Sequence, residues 1–135
     1  MSPKIALITI FTQDVPRMVA FYRDVLGFTI QDDLGSYVEF KSSSVRFAIC
    51  AMEVMIHSVD HPSLKEPISG HPFELAFPVD TPQQVDERYT HMISSGAGNI
   101  QGPKDMRWNQ RVAFFADPDG NIHEIFADLP RSAEG

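Results

Sequence analysis

The sequence predicts an α+β protein built from two βαβββ modules in one domain, and three observations carry that prediction. An Asp-x-Pro occurs twice, as Asp14-Val15-Pro16 and Asp80-Thr81-Pro82, 66 positions apart. Each copy follows a strand-like apolar run, Ile5–Thr12 or Phe73–Val79, and opens a helical pattern that closes at a glycine, Gly27 or Gly96. Three short strand signals then follow each helix. Such a shared order is the mark of an internal repeat. A half of roughly 55–60 residues is marginal alone, so the halves are expected to share a core or to pair with another chain.

Each element has a physical reason. Asp14 and Asp80 can each accept a bond from an N–H of the first helical turn, and their charge suits the helix dipole there. Pro16 and Pro82 lie in that same turn, where a missing N–H costs nothing. Met18, Phe21, Tyr22 and Val25 recur at helical spacing and make one apolar stripe, ended by Gly27. Val85, Tyr89, Met92 and Ile93 form a thinner stripe among polar residues, so the second helix is expected to be more exposed.

The strand signals are Phe28–Gln31, Tyr37–Lys41 and Val45–Ala51 in the first half, and Gly98–Gln101, Arg111–Ala116 and Ile122–Ala127 in the second. Asp117-Pro118-Asp119-Gly120 reads as a type I turn between the last two. Between the halves, Glu53–Pro72 carries three prolines and no sustained period, which reads as a linker. The organisation expected is a single domain over 1–130, with modules at about 4–52 and 73–128 joined by linker 53–72, and a frayed tail from Arg131 to Gly135.

Composition bounds the function. With 135 residues, 43% hydrophobic, 10% aromatic and 21% charged, the chain is an ordinary globular protein. A net charge of -7 leaves no basic footprint, so neither nucleic acid nor membrane is expected as a partner. The single cysteine, Cys50, excludes a disulfide framework and any CxxC site, and fits a reducing compartment. The run Ile5–Phe11 is too short to span a bilayer and no cleavage site follows it, so the expected location is the cytoplasm.

Asp14-Val15-Pro16, Phe21-Tyr22 and Leu26-Gly27-Phe28 together resemble the opening segment of the glyoxalase / bleomycin-resistance / extradiol-dioxygenase proteins, the vicinal oxygen chelate superfamily. Trp108, Arg111, Asp117-Pro118-Asp119-Gly120-Asn121 and Glu124 resemble its closing segment, so the likeness spans about residues 4–128. It implies curved sheets around a cavity, commonly completed by dimerisation. Metal-dependent members place four ligands on inward strand positions. By motif spacing these fall on Leu7, Ala48 (or Cys50 in a shifted register), Glu74 and Glu124. Leu7 and Ala48 cannot coordinate a metal, whereas a catalytic centre normally needs three or four protein ligands.

Alternation within each strand sets Glu74 apart from Phe73, Leu75, Phe77 and Val79, and sets Glu124 on one face with Ile122 and Phe126. Two carboxylates in proximity would raise at least one pKa and suit general acid–base work; alternatively Glu124 forms an ion pair with Arg46 or Arg111. Trp108 could stack on a flat ligand while Arg111 holds an anionic group, or it packs at a rim; Arg46 and Tyr37 complete the ligand-binding candidates. His57, His61 and His71 read as loop residues, and Cys50 as a buried thiol. Two functions follow. The first is a homodimeric binder of a small organic ligand, with no cofactor, whose negative charge suits a cationic ligand. The alternative is an enzyme of lyase, epimerase or dioxygenase type using Ni, Zn, Mn or Fe, with Glu74 and Glu124 as catalytic residues and metal ligands.

Overall fold

An apolar run that ends in a capped helix gives each half its opening. In the first, Leu7–Thr12 forms β1 and Asp14 caps helix α1 (Val15–Ala20), its carboxylate accepting the Arg17 N–H at 3.2 Å. The structure is a computed structural model and describes residues 2–130, so the expected fraying of Arg131–Gly135 lies outside the described residues. The helix does not run on regularly to its glycine stop. Phe21–Val25 widens into a π-helical turn, and Phe28 N–H then closes on the Tyr22 carbonyl past Gly27, whose φ is 90°. Strands β2 (Ile30–Asp33), β3 (Tyr37–Phe40) and β4 (Arg46–Ala51) complete the sheet in the order β1-β4-β3-β2, with β1 parallel to β4.

The second half repeats that order. Strand β5 (Ala76–Pro78) leads to a helix at Pro82–Ser94, then to β6 (Gly98–Met106), β7 (Gln110–Ala116) and β8 (Ile122–Asp128). Its sheet has the order β5-β8-β7-β6, with β5 parallel to β8. The chain is therefore α+β with two βαβββ modules, as the sequence predicts, and neither sheet closes into a barrel. By its contacts it divides into two units, Met1–Ser69 and Gly70–Gly135.

Four details differ from the sequence reading. The strand expected over Phe73–Val79 forms only at Ala76–Pro78, so Glu74 lies exposed in the segment before it. The linker is not featureless: Met52–Ser58 forms a helix, α2, directly after β4, and Pro62–Lys65 makes a 3-10 turn. We accordingly number the helix at Pro82–Ser94 as α3. The cap of α3 is Thr81, not Asp80. Thr81 Oγ1 accepts the Gln84 N–H at 3.2 Å while Gln84 Oε1 accepts the Thr81 N–H at 3.0 Å, a capping box. The two helices are thus offset by 67 residues, from Asp14 to Thr81, and the repeated Asp-x-Pro is out of step by one. Proline is tolerated at either of the first two helical positions, so its repetition does not fix the register. Finally, β6 runs on to Met106 through two register shifts, and its Pro103 falls in the irregular stretch of an edge strand, a position that tolerates proline.

Each sheet buries one face under its helix. In the first unit, Tyr22 stands edge-on to Phe47 with ring centroids 5.2 Å apart, while Phe28, Phe40 and Phe47 contact one another at 5.3–5.6 Å. In the second, Val85, Tyr89 and Met92 of α3 are buried, and so are Phe115, His123 and Ile125 on the sheet.

Candidate functional site

Side chains of directly paired residues leave a sheet on the same face, so the register sorts each unit into a helix-covered and a helix-free side. In the first unit Phe40 pairs with Phe47, and both meet Tyr22, which marks the helix-covered face. The other face carries the row Thr9–Ala48–Glu39, with Leu7 beside Arg46 and Tyr37 beside Cys50.

Glu39 is the charged centre of that face. Its side chain is 5% exposed, and both oxygens are occupied. Oε2 accepts Arg46 Nε–H at 2.9 Å, and Oε1 accepts Arg46 Nη2–H at 2.8 Å and the Tyr37 hydroxyl at 2.7 Å. The Arg46 and Tyr37 bonds hold the Glu39 carboxyl at about 2, against the upward push of burial. Glu39 in turn raises the Tyr37 phenol and holds Arg46 firmly as a cation. Tyr37 and Arg46, both candidates from the sequence, are thus brought together. Glu39, which joins them, was not a candidate. Its signal lay in the alternation of Tyr37-Val38-Glu39-Phe40, which puts tyrosine and glutamate on one face.

In the second unit Ala76, Glu124 and Phe114 form the corresponding row, with Phe126 and Ile122 on the same face. Glu124 is half-buried there, and Glu74 lies close enough for its charge to act on it. Burial pushes the Glu124 carboxyl above the ordinary carboxylate range, and the negative charge of Glu74 adds to the push. The structure therefore brings together the two acidic candidates.

The segment carrying Glu74 is tied down on both sides. Glu124 N–H donates to the Leu75 carbonyl at 2.9 Å, and Leu75 N–H donates to His123 Nδ1 at 3.1 Å. His123 is wholly buried on the helix-covered face, edge-on to Phe77 and Phe115, with Nε2 3.7 Å from Asp117 Oδ2. Asp117 organises the turn after β7: its carboxylate accepts Asp119 N–H, Asn121 N–H and Asn121 Nδ2–H at 2.9–3.0 Å.

The remaining candidates stand apart from these rows. Arg111 projects from the helix-covered face, opposite Glu124, and pairs with Asp86 of α3 at 2.8 Å and Asp105 at 2.9 Å. The ion pair considered for Glu124 thus forms elsewhere: Arg46 binds Glu39, and Arg111 binds the two aspartates. Trp108 lies in the turn between β6 and β7, 54% exposed, donating its indole N–H to Gln110 at 3.0 Å. His57 ends α2 and His61 caps the 3-10 turn beyond it, so they do not share one helix face.

Leu7 and Ala48 offer no donor atom, and burial raises the Cys50 thiol, which disfavours the thiolate a metal requires. Glu39 stands in the Ala48 row but is already bonded on both oxygens. The donor set at these positions does not fit a four-ligand centre. Among the described residues, no group of three or more His, Cys, Asp or Glu side chains is arranged to hold a metal ion.

Two repeated modules with this strand order define a known class of protein. The sequence model of the Glyoxalase/Bleomycin resistance protein/Dioxygenase superfamily matches residues 4–125, and the chain belongs to that superfamily. It is 30% identical over 132 residues to YraH of Bacillus subtilis (strain 168), described as an uncharacterized protein, covering 93% of this chain and 99% of YraH. Among solved structures, a glyoxalase/bleomycin resistance protein/dioxygenase from Nocardioides is 27% identical, with a TM-score of 0.86 over 100% of this chain and 89% of that one. A family enzyme from Burkholderia phytofirmans PsJN is 26% identical, with a TM-score of 0.83 over 94% of this chain and 100% of that one. Among the described residues, no helix is long and apolar enough to cross a membrane.

Proposed function

We propose that this chain is a metal-independent member of its superfamily that binds a small organic ligand along the helix-free sheet faces, as a cytoplasmic homodimer. The observation that carries the reading is the state of the first unit. Leu7 and Ala48 present hydrocarbon, and the carboxylate in their neighbourhood, Glu39, is engaged on both oxygens by Arg46 and Tyr37. A face so furnished offers hydrogen bonds and apolar contact rather than open coordination positions.

The test is metal affinity followed by a ligand screen. Untagged protein stripped with chelator is titrated with Ni, Zn, Mn, Co and Fe(II) by calorimetry, with Glu74→Gln and Glu124→Gln as controls. No saturable binding is expected. Micromolar binding lost in both variants overturns the reading. The screen then follows Trp108 fluorescence, the single tryptophan of the chain.

A second reading, an enzyme in which Glu124 moves a proton, is favoured by one observation: its carboxyl is raised by burial and by Glu74. Assays on hemithioacetals, acyl-CoA epimers and catechols test it. Turnover abolished by Glu124→Gln supports it, and no turnover on any of the three removes its support.

A further inference from the structure

Glu39 is an unusual residue for the interior of a strand. Hydrocarbon of similar volume commonly stabilises such a position as well as a buried ion pair does, so packing alone gives little reason for a carboxylate. What the carboxylate achieves is the immobilisation of Arg46. The pair is asymmetric: the Glu39 side chain is 5% exposed, that of Arg46 58%. Glu39 takes up the Nε–Nη2 side of the guanidinium at 2.9 and 2.8 Å, and the Tyr37 hydroxyl donates at 2.7 Å to Oε1, the oxygen that Nη2 also reaches. A planar guanidinium bound on that side turns its remaining edge, the outer N–H groups of Nη1 and Nη2, away from the anchor. The result is a half-exposed donor fork held by a buried anchor. Its register neighbours are Leu7 and, one row on, Ala48, which contributes only a methyl group.

Charge decides what such a fork recognises. Glu39 is ionised across the physiological range and Arg46 is a permanent cation, so the pair is neutral as a unit. The whole chain carries -7. An anion drawn to Arg46 is repelled by Glu39 behind it and by the field of the chain. An uncharged oxygen acceptor meets the same donors without either penalty, and Tyr37, half-buried on the same face and bonded to Glu39, offers an aromatic surface suited to a flat partner. We propose that Arg46, anchored by Glu39 and steadied by Tyr37, is the recognition group for an uncharged planar carbonyl compound, whose oxygen accepts from the outer guanidinium edge. This inference rests on the reading of the chain as a small-ligand binder and names the ligand class for one of its two faces.

The probe is benzamide, with benzoate as its charged counterpart of the same shape. Both are titrated into the 15N-labelled full chain and followed by amide chemical shifts. Saturable shifts at Tyr37, Glu39, Arg46 and Ala48 are expected with benzamide, with benzoate at least about threefold weaker. Arg46→Lys keeps the charge but loses the fork, and is expected to weaken benzamide about fivefold or more. Because Arg46 is half-exposed this variant should fold, and a matching amide spectrum verifies that. The wild-type shift map stands without it. Absence of saturable shifts, equal affinity in Arg46→Lys, or tighter binding of benzoate each overturns the proposal. Failure of the broader reading looks different. A screen hit whose shifts are confined to residues 74–128 keeps the small-ligand reading and overturns this one, whereas no binding of benzamide or of any screened compound overturns both.

Discussion

The two modules place a carboxylate on the same kind of face and treat it in opposite ways. In the first, Glu39 is bonded by a guanidinium and a phenol; in the second, Glu124 faces the charge of Glu74. Glu39 is the more buried of the two, yet its pKa falls to about 2 while that of Glu124 rises. Burial therefore does not set the sign. Three donated hydrogen bonds outweigh desolvation at Glu39, and no such donation offsets it at Glu124. The repeat offset of 67 residues makes the contrast sharper, because it aligns Leu7 with Glu74 and Thr9 with Ala76, and the strand pairing then makes Ala48, beside Thr9, the counterpart of Glu124, beside Ala76. Hydrocarbon stands in one module where acid stands in the other. One scaffold thus carries a fully bonded carboxylate on one sheet and, on the other, a half-buried carboxylate raised by burial and by a neighbouring acid.

The largest expected difference between the modules lies in their cores. Tyr22 and Tyr89 are equivalent at the 67-residue offset, and both are buried. Tyr22 sits within a ring cluster with Phe21, Phe28, Phe40 and Phe47, whereas Tyr89 is steadied by its hydroxyl bond to Asn99. Tyr22→Ala is expected to cost about 5 kcal/mol and Tyr89→Ala about 3 kcal/mol, from the usual range for aromatic truncation. Urea unfolding measures both, and equal losses would break the asymmetry.

The connections into the last strand of each module differ next. In the second, Asp117 holds three N–H groups; in the first, Ser42 Oγ accepts one N–H, from Ser44, at 3.3 Å. Asp117→Ala removes a buried carboxylate that accepts three N–H bonds and is expected to cost about 2 kcal/mol. Ser42→Ala is expected to stay within about 0.5 kcal/mol. A comparable fall in thermal midpoint for the two would show that the Asp117 network does not organise its turn.

Acid and base should then separate the two carboxylates. The folded pKa of Glu39 lies below its ordinary value near 4.5, so its contribution to stability is present above that value and is lost as pH falls toward about 2. Glu39→Gln is expected to be less stable than the native chain at pH 7, with the gap closing through that window. The folded pKa of Glu124 is raised, so the sign reverses: its contribution is full below about 4.5 and is lost as pH rises through the folded value. Glu124→Gln is expected to match or exceed native stability at pH 7 and to lose that advantage in acid. Urea midpoints between pH 2.5 and 8 read both trends, and parallel curves for the two variants would contradict the opposite shifts.

What the sequence made legible depended on range. The modules rest on local signals: Met18, Tyr22 and Val25 are buried at the spacing that predicted them, and the Asp117–Gly120 turn closes with Gly120 N–H on the Asp117 carbonyl at 2.9 Å. Glu124 lies on a strand where alternation and motif spacing agree, whereas Glu74 lies before β5, so for it motif spacing alone remains. Glu39 was not, since its meaning depends on the β3–β4 register, which brings Arg46 to it across seven residues. Alternation alone cannot supply that register. The partners of Arg111 were hidden for the complementary reason: they are Asp86 on α3, 25 residues away, and Asp105 on β6. Helix α2 was masked by its composition, with no side-chain cap, no buried residue and prolines close behind.

The smallest effects decide the register of the repeat itself. If the modules align by their repeated Asp-x-Pro, Asp80 is the counterpart of Asp14 and its removal should cost a helix cap. If they align at 67 residues, the counterpart is Thr81, whose hydroxyl and the reaching Gln84 amide close the capping box. Asp14→Ala and Thr81→Ala are each expected to cost about 1 kcal/mol. Asp80→Ala keeps its backbone N–H on Gln84 at 2.8 Å and removes only an exposed charge near the helix start, for about 0.3 kcal/mol. Three urea curves therefore read an alignment. The same register that makes Thr81 a cap makes Glu74 the sequence counterpart of Leu7, so the modules differ in charge at equivalent positions.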